Sequence, residues 1–148
     1  MPKYIHPLAG GIAMLTIAAF WLSTLVVELS GSEAAIIAVK TAIPWGLLLL
    51  VPALALTGAT GNLQARRRRG PLVAAKQARM KVVAANGLLV LVPCALFLAA
   101  RAAEGRFDAI FYAVQLTELV AGALNILLLG LNARDGLALR ARRRIGAM

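Results

Sequence analysis

Four apolar runs, spanning 7–29, 41–60, 82–100 and 109–131, occupy most of this 148-residue chain. A helix that crosses the hydrocarbon core of a bilayer needs roughly 20 apolar residues, and each run meets that length approximately. Hydrophobic residues make up 61% of the sequence, against about 45–50% in a typical soluble domain. Too little chain remains outside the runs for a soluble domain. The expectation is an all-α integral membrane four-helix bundle formed as one transmembrane domain over 1–148. The apolar core of the first run exceeds the roughly 7–15 residues of a signal-peptide core, so it reads as a retained anchor.

Charge gives an expected orientation. Of the sixteen Lys and Arg residues, thirteen fall at the N-terminus, in the basic stretch 61–81 and after the fourth run; the exceptions are Lys40, Arg101 and Arg106. Cytoplasmic segments carry the excess of basic residues. The rule places both termini and the 61–81 loop in the cytoplasm, with 30–40 and 101–108 facing outward. Short connections then give an up-down-up-down bundle. The formal net charge of +10 is accounted for by topology, which leaves no need for a nucleic-acid partner. Arg66, Arg67, Arg68 and Arg69 suit anionic headgroups, at about 1 kcal/mol per basic residue near the surface.

The runs are rich in small residues. Gly10, Gly11 and Ala13, then Gly46, Ala53 and Gly58, then Ala121 and Gly122 permit close helix approach, as membrane interfaces favour. Pro44, Pro52 and Pro93 fall inside runs, where each frees a carbonyl and bends the helix. The lone Cys94 reads as a small buried apolar residue. Tyr4, Trp45, Phe107, Phe111 and Tyr112 fit interfacial belts, and Phe20–Trp21 lies deep enough to wall a pocket.

The fourth run carries the most informative pattern. Gln115, Glu118, Gly122, Asn125, Leu129 and Asn132 recur at spacings of 3 and 4, which places them in one stripe along a helix. Four of the six are polar, so the stripe is expected to face the bundle. Glu118 lies about ten residues into its run, and an ionisable group at such depth is a functional candidate by default. The expected ligand or proton site is Glu118 with Gln115 and Asn125. Lys40 stands just before the second run and is expected to reach Glu28 more easily than Glu118. Glu118 should then be neutral or hydrogen-bonded to Thr16, Ser23, Thr24 or Thr57. The competing reading is interhelical glue, at about 0.6 kcal/mol per bond.

His6 is the one histidine. An imidazole at the entry of the first span suits an axial ligand to haem b, with Met14 or Met80 as a second ligand and Arg79 and Lys81 placed to meet the propionates. Two copies of the chain across a symmetry axis would supply two such histidines, which favours a homodimer. G-x-S-x-G, G-x-x-x-x-G-K-[ST], H-E-x-x-H and C-x-x-C are missing from the sequence, so hydrolytic and nucleotide-driven chemistry have no signature.

His6-Pro7-Leu8, Phe20 to Thr24, Ala85-Asn86-Gly87 and Gln115 to Gly136 give the chain the look of small four-span proteins of bacterial inner membranes. In size and topology it also resembles membrane b-type cytochromes, which implies haem, electron transport and His6 as iron ligand. It is similar in architecture to small multidrug-resistance transporters, whose essential carboxylate lies in the membrane. The leading expectation is a redox accessory protein holding haem or a quinone-type cofactor. The alternatives are a proton-coupled transporter using Glu118 and a non-catalytic subunit of a membrane complex.

Overall fold

The computed structural model describes residues 2–66 and 70–145. It contains four long helices: α1 (Pro2–Ser30), α2 (Glu33–Arg66), α3 (Pro71–Ala103) and α4 (Ala109–Ile145). Each is long and apolar enough to cross a membrane, which makes this a multi-pass membrane protein. The helices outrun the apolar runs that mark them. α2 begins at Glu33, so Lys40 lies two turns inside it, and α3 begins at Pro71, so the basic stretch is helical at both ends.

The turns explain these boundaries. Gly31 ends α1 with φ +66°, a left-handed conformation that favours glycine. The Ser32 hydroxyl then accepts the Ala35 amide at 3.4 Å and caps α2. Gly105, at φ +65°, ends α3: its amide bonds the Ala102 carbonyl, and the Arg106 amide bonds that of Arg101, both at 3.0 Å. That pair of bonds is the Schellman arrangement. Asp108 caps α4 by accepting the Phe111 amide at 2.9 Å, and its other oxygen accepts Arg101 Nη1 at 2.5 Å.

α3 changes pitch midway. Between Gly87 and Leu91 it widens to a π-turn, and the Val92 amide bonds the Gly87 carbonyl five residues back. Pro93 follows at once and has no amide to offer the preceding turn. The wide turn is the local answer to that missing donor.

Packing between helices relies on small residues, as membrane interfaces do. One cluster joins Ala13 and Ile17 of α1, Leu50 and Ala53 of α2, Val83 of α3 and Leu129 of α4. A second, toward the opposite ends of the helices, joins Ile36, Leu98, Ala102 and Phe111. Large aliphatic side chains such as Leu15, Leu48, Leu89 and Leu116 point outward, where acyl chains would surround them. Phe20 sits in a notch made by Gly46. A Cβ there would come within 2.2 Å of the ring. Trp21 lies against Gly122, where a Cβ would come within 3.0 Å, and its indole N–H donates to the Leu119 carbonyl at 2.9 Å.

Candidate functional site: a buried ion pair among four helices

The α4 stripe faces inward. Gln115 is 4% exposed, Asn125 0% and Asn132 7%, and Gly122 and Leu129 are buried with them. Glu118, Asn125 and Asn132 each meet a different neighbour. Those partners divide the stripe into three levels.

At the first level Glu118 forms an ion pair with Lys40 of α2; the lysine side chain is 0% exposed and the glutamate 12%. This corrects the expectation that Glu118 lacks a cation and that Lys40 turns to Glu28. The physical reason is the early start of α2. Lys40 lies seven residues after Glu33, about 10 Å along the axis, and Glu118 lies nine residues after Ala109, about 14 Å along. The two side chains therefore meet at comparable depth. Thr24 of α1 accepts a further bond from Lys40 Nζ at 3.4 Å. The other expected partners of Glu118 are committed within their own helices. Thr16 bonds the Ile12 carbonyl, Ser23 that of Phe20 and Thr57 that of Ala53.

Two further groups complete this level. Glu28 of α1 is within electrostatic reach of both Lys40 and Glu118, and its Oε1 is buried with no hydrogen-bond partner. Gln115, one turn from Glu118, has neither a partner for its Nε2 nor one for its Oε1. A buried amide without bonds costs roughly 1–3 kcal/mol, so it marks a place where a polar ligand gains most. A small cavity of about 50 Å³ adjoins the pair, walled by Phe20, Trp21, Thr24, Ala95, Glu118 and Gly122. Phe20–Trp21 thus walls a pocket, as its depth in the sequence suggests.

At the second level Asn86 of α3 donates to the Asn125 side-chain oxygen and to the Ala121 carbonyl, both at 2.9 Å. Asn125 returns a bond to the Val83 carbonyl at 3.4 Å. The pair stands one residue before the π-turn. Asn125 is therefore a bridge between helices, fully bonded and separate from the Lys40–Glu118 level. At the third level Arg79 donates to Asp135 at 2.6 Å and to Asn132 at 3.3 Å. Asn132 in turn donates to the Lys76 carbonyl at 3.4 Å.

The residues expected around a haem are placed as follows. His6 Nδ1 lies 3.2 Å from the Thr57 carbonyl and 3.0 Å from Thr60 Oγ1. A carbonyl can only accept, so Nδ1 carries the proton and Nε2 keeps its lone pair. Gly61 leaves room for the ring, since a Cβ there would lie 3.2 Å from Cε1. Met14 and Met80 pack against the first cluster. Arg79 is taken up by Asp135 and Asn132, and Lys81 is exposed. Among the described residues no group of three or more His, Cys, Asp or Glu side chains is arranged to hold a metal ion.

Sequence reasoning missed the depth of Lys40, the role of Asn86 and the Arg79–Asp135 bond. Ser32 followed by Glu33 carried the missing signal, because a serine cap with an acid in the first turn starts α2 at residue 33. No family model, curated protein or solved structure matches the chain.

Proposed function

We propose that this chain is a proton-coupled carrier of small cations in a bacterial inner membrane, folded as an up-down bundle with both termini cytoplasmic. The positive-inside distribution of Lys and Arg supports the orientation. The observation that carries the function is the buried Lys40–Glu118 pair, with Glu28 of α1 within electrostatic reach of both members. One lysine is paired with one carboxylate and lies within electrostatic reach of a second. With both ionised the cluster holds one negative charge too many for a site in low dielectric, where an unpaired charge is costly. A proton or a cationic ligand restores neutrality, and the two compete. Binding a cation therefore releases a proton, which is the coupling an exchanger needs. Glu118 lines the cavity beside the pair, and Phe20 and Trp21 supply aromatic faces for a bound cation.

The test is proton release from purified protein in weak buffer with a pH dye, using tetramethylammonium and a panel of primary amines as probes. Wild type should release up to about one proton per cation bound, as charge balance requires. Glu118→Gln should release none. Release unchanged in Glu118→Gln, or no release from wild type with any cation, refutes the reading.

A second reading has its own support. His6 donates Nδ1–H to a backbone carbonyl, the arrangement that orients metal-ligating histidines. On this reading Nε2 would bind haem iron, with two copies of the chain supplying two ligands. A Soret band in the purified protein that disappears in His6→Ala would favour it. A featureless visible spectrum would end it.

A further inference from the structure

A second cavity, of about 230 Å³, lies between α2 and α3 and meets the first at Ile17, Leu47, Leu50 and Leu91. It runs along α2 from Leu47 to Gly58 and along α3 from Met80 to Val92. Its lining is apolar apart from Asn125, whose amide is already bonded. Water gains little in such a space, and apolar occupants gain most. Several lining residues are also open to the outside: Val51 is 39% exposed and Leu88 58%, and Ala55 and Ala84 are exposed as well. The cavity therefore opens sideways between α2 and α3, toward the surroundings that a spanning helix meets in a bilayer. Small residues keep the opening clear. A Cβ on Gly58 meets nothing within 4 Å.

One end of this opening is charged. Lys81, Ala84 and Leu88 follow one another at spacings of 3 and 4, so they share a stripe on α3. Ala84 and Leu88 line the cavity, and Lys81 stands exposed one turn beyond them. At the same end Gln77 Nε2 donates to Asn62 Oδ1 at 3.2 Å, so the slot closes there on polar groups. An apolar slot open to lipid with a cation at its mouth is complementary to one kind of molecule. We infer that the α2–α3 cavity binds an acyl chain of an anionic phospholipid, whose headgroup phosphate is held by Lys81. This goes beyond the carrier reading and does not depend on it, because it uses neither Lys40 nor Glu118.

Native mass spectrometry of the full chain, with phosphatidylglycerol and phosphatidylcholine of identical acyl chains, tests it. Wild type should retain phosphatidylglycerol over phosphatidylcholine. Lys81→Gln should lower phosphatidylglycerol retention about fivefold, the value of about one basic residue near an anionic lipid, and lower phosphatidylcholine by a smaller factor, because the choline ammonium offsets the charge of its phosphate. Gly58→Leu fills the cavity from a position with open space and should lower phosphatidylglycerol retention by a similar or larger factor. Helical circular dichroism and thermal midpoint confirm that each variant is folded. Equal retention of the two lipids by wild type, or undiminished phosphatidylglycerol in folded Gly58→Leu, overturns the inference. Cation-linked proton release measured on the same variants separates the two proposals. Release that persists in Gly58→Leu while lipid is lost supports the lipid site and leaves the carrier standing. Release lost while lipid stays bound overturns the lipid site alone.

Discussion

Breaking the Lys40–Glu118 pair from one side should destabilise the protein far more than removing both charges. Two unit charges about 4 Å apart attract by about 4 kcal/mol at an effective dielectric of 20. Removing one member of a buried pair costs roughly 3–5 kcal/mol, because the other is left unpaired, whereas replacing both by apolar groups is often neutral. Lys40 is fully buried, and its remaining bond is to Thr24 at 3.4 Å, so Lys40→Met belongs in that range. Glu118→Leu should cost less, about 2 kcal/mol, since Lys40 keeps Glu28 within reach and charge-assisted bonds of this kind are worth about 1.5–3 kcal/mol. The double variant Lys40→Met/Glu118→Leu should fall within about 1 kcal/mol of wild type. Reversible unfolding in mixed micelles gives all four stabilities, and the double-mutant cycle isolates the coupling. The expected coupling is at least about 3 kcal/mol, against about 0.6 kcal/mol for an ordinary interhelical hydrogen bond in a membrane. Single variants that each cost under about 1 kcal/mol and add simply in the double would show that the pair is glue, and the charge argument for a carrier would go with it.

Three further outcomes follow from the packing and the turns. Gly46→Ala should cost about 1–3 kcal/mol through overpacking against Phe20, whereas Gly130→Ala, with nothing within 4 Å of the new methyl, should be neutral or stabilising; thermal melts of the two variants decide it. Asp135→Asn should destabilise less than the loss of a fully buried charged bond, because Arg79 is 25% exposed and keeps Asn132 while solvent screens the rest; chemical unfolding measures it. The Phe111 amide, with Arg101 beside it, holds the Asp108 carboxyl below the usual carboxylate range. A depressed folded value means stability that is present above the ordinary aspartate pKa of about 3.9 and lost as pH falls through the lower folded value. An acid titration of Asp108→Asn should lack that low-pH loss, and an unchanged acid limb would refute the assignment.

The four helices were legible because apolar run length is a strong signal that needs no tertiary knowledge. The α4 stripe was legible for the same kind of reason: spacings of 3 and 4 fix which side chains share a face, and burial of Gln115, Asn125 and Asn132 follows from their polarity. Helix ends were less legible. Hydropathy marks where apolar residues stop, but α2 and α3 continue through polar turns, and the cap at Ser32 and the proline at the first position of α3, Pro71, set the true boundaries. That difference moved Lys40 from an expected margin to the interior. Partners across helices were the least legible part. Arg79 and Asp135 lie 56 residues apart in the chain, and nothing local in either segment selects the other.

The distribution of polar bonds also constrains where this bundle can open. α4 is fastened to α2 by Lys40–Glu118 and to α3 by Asn86–Asn125 and Arg79–Asp135. α1 is fastened to α2 by His6 and to α4 by Trp21. Along the larger cavity the seam between α2 and α3 is apolar, and its Gln77–Asn62 bond lies beyond the cavity's end. Separating polar partners in lipid leaves groups that no solvent satisfies, while sliding apolar faces past acyl chains exchanges one hydrocarbon contact for another. Motion therefore costs least at the α2–α3 seam. Lys40 rides on α2 and Glu118 on α4, so displacement of α2 along that seam strains the ion pair on which the proposed exchange depends. The charge state of the pair and the width of the seam are thereby coupled through a single helix. Bridging Ala55→Cys to Ala84→Cys across the cavity with a disulfide-containing bifunctional thiol reagent, in a Cys94→Ser background, should lock the seam. The bridge should abolish cation-linked proton release and its reduction should restore it, and release that is indifferent to the cross-link would place the moving element elsewhere in the bundle.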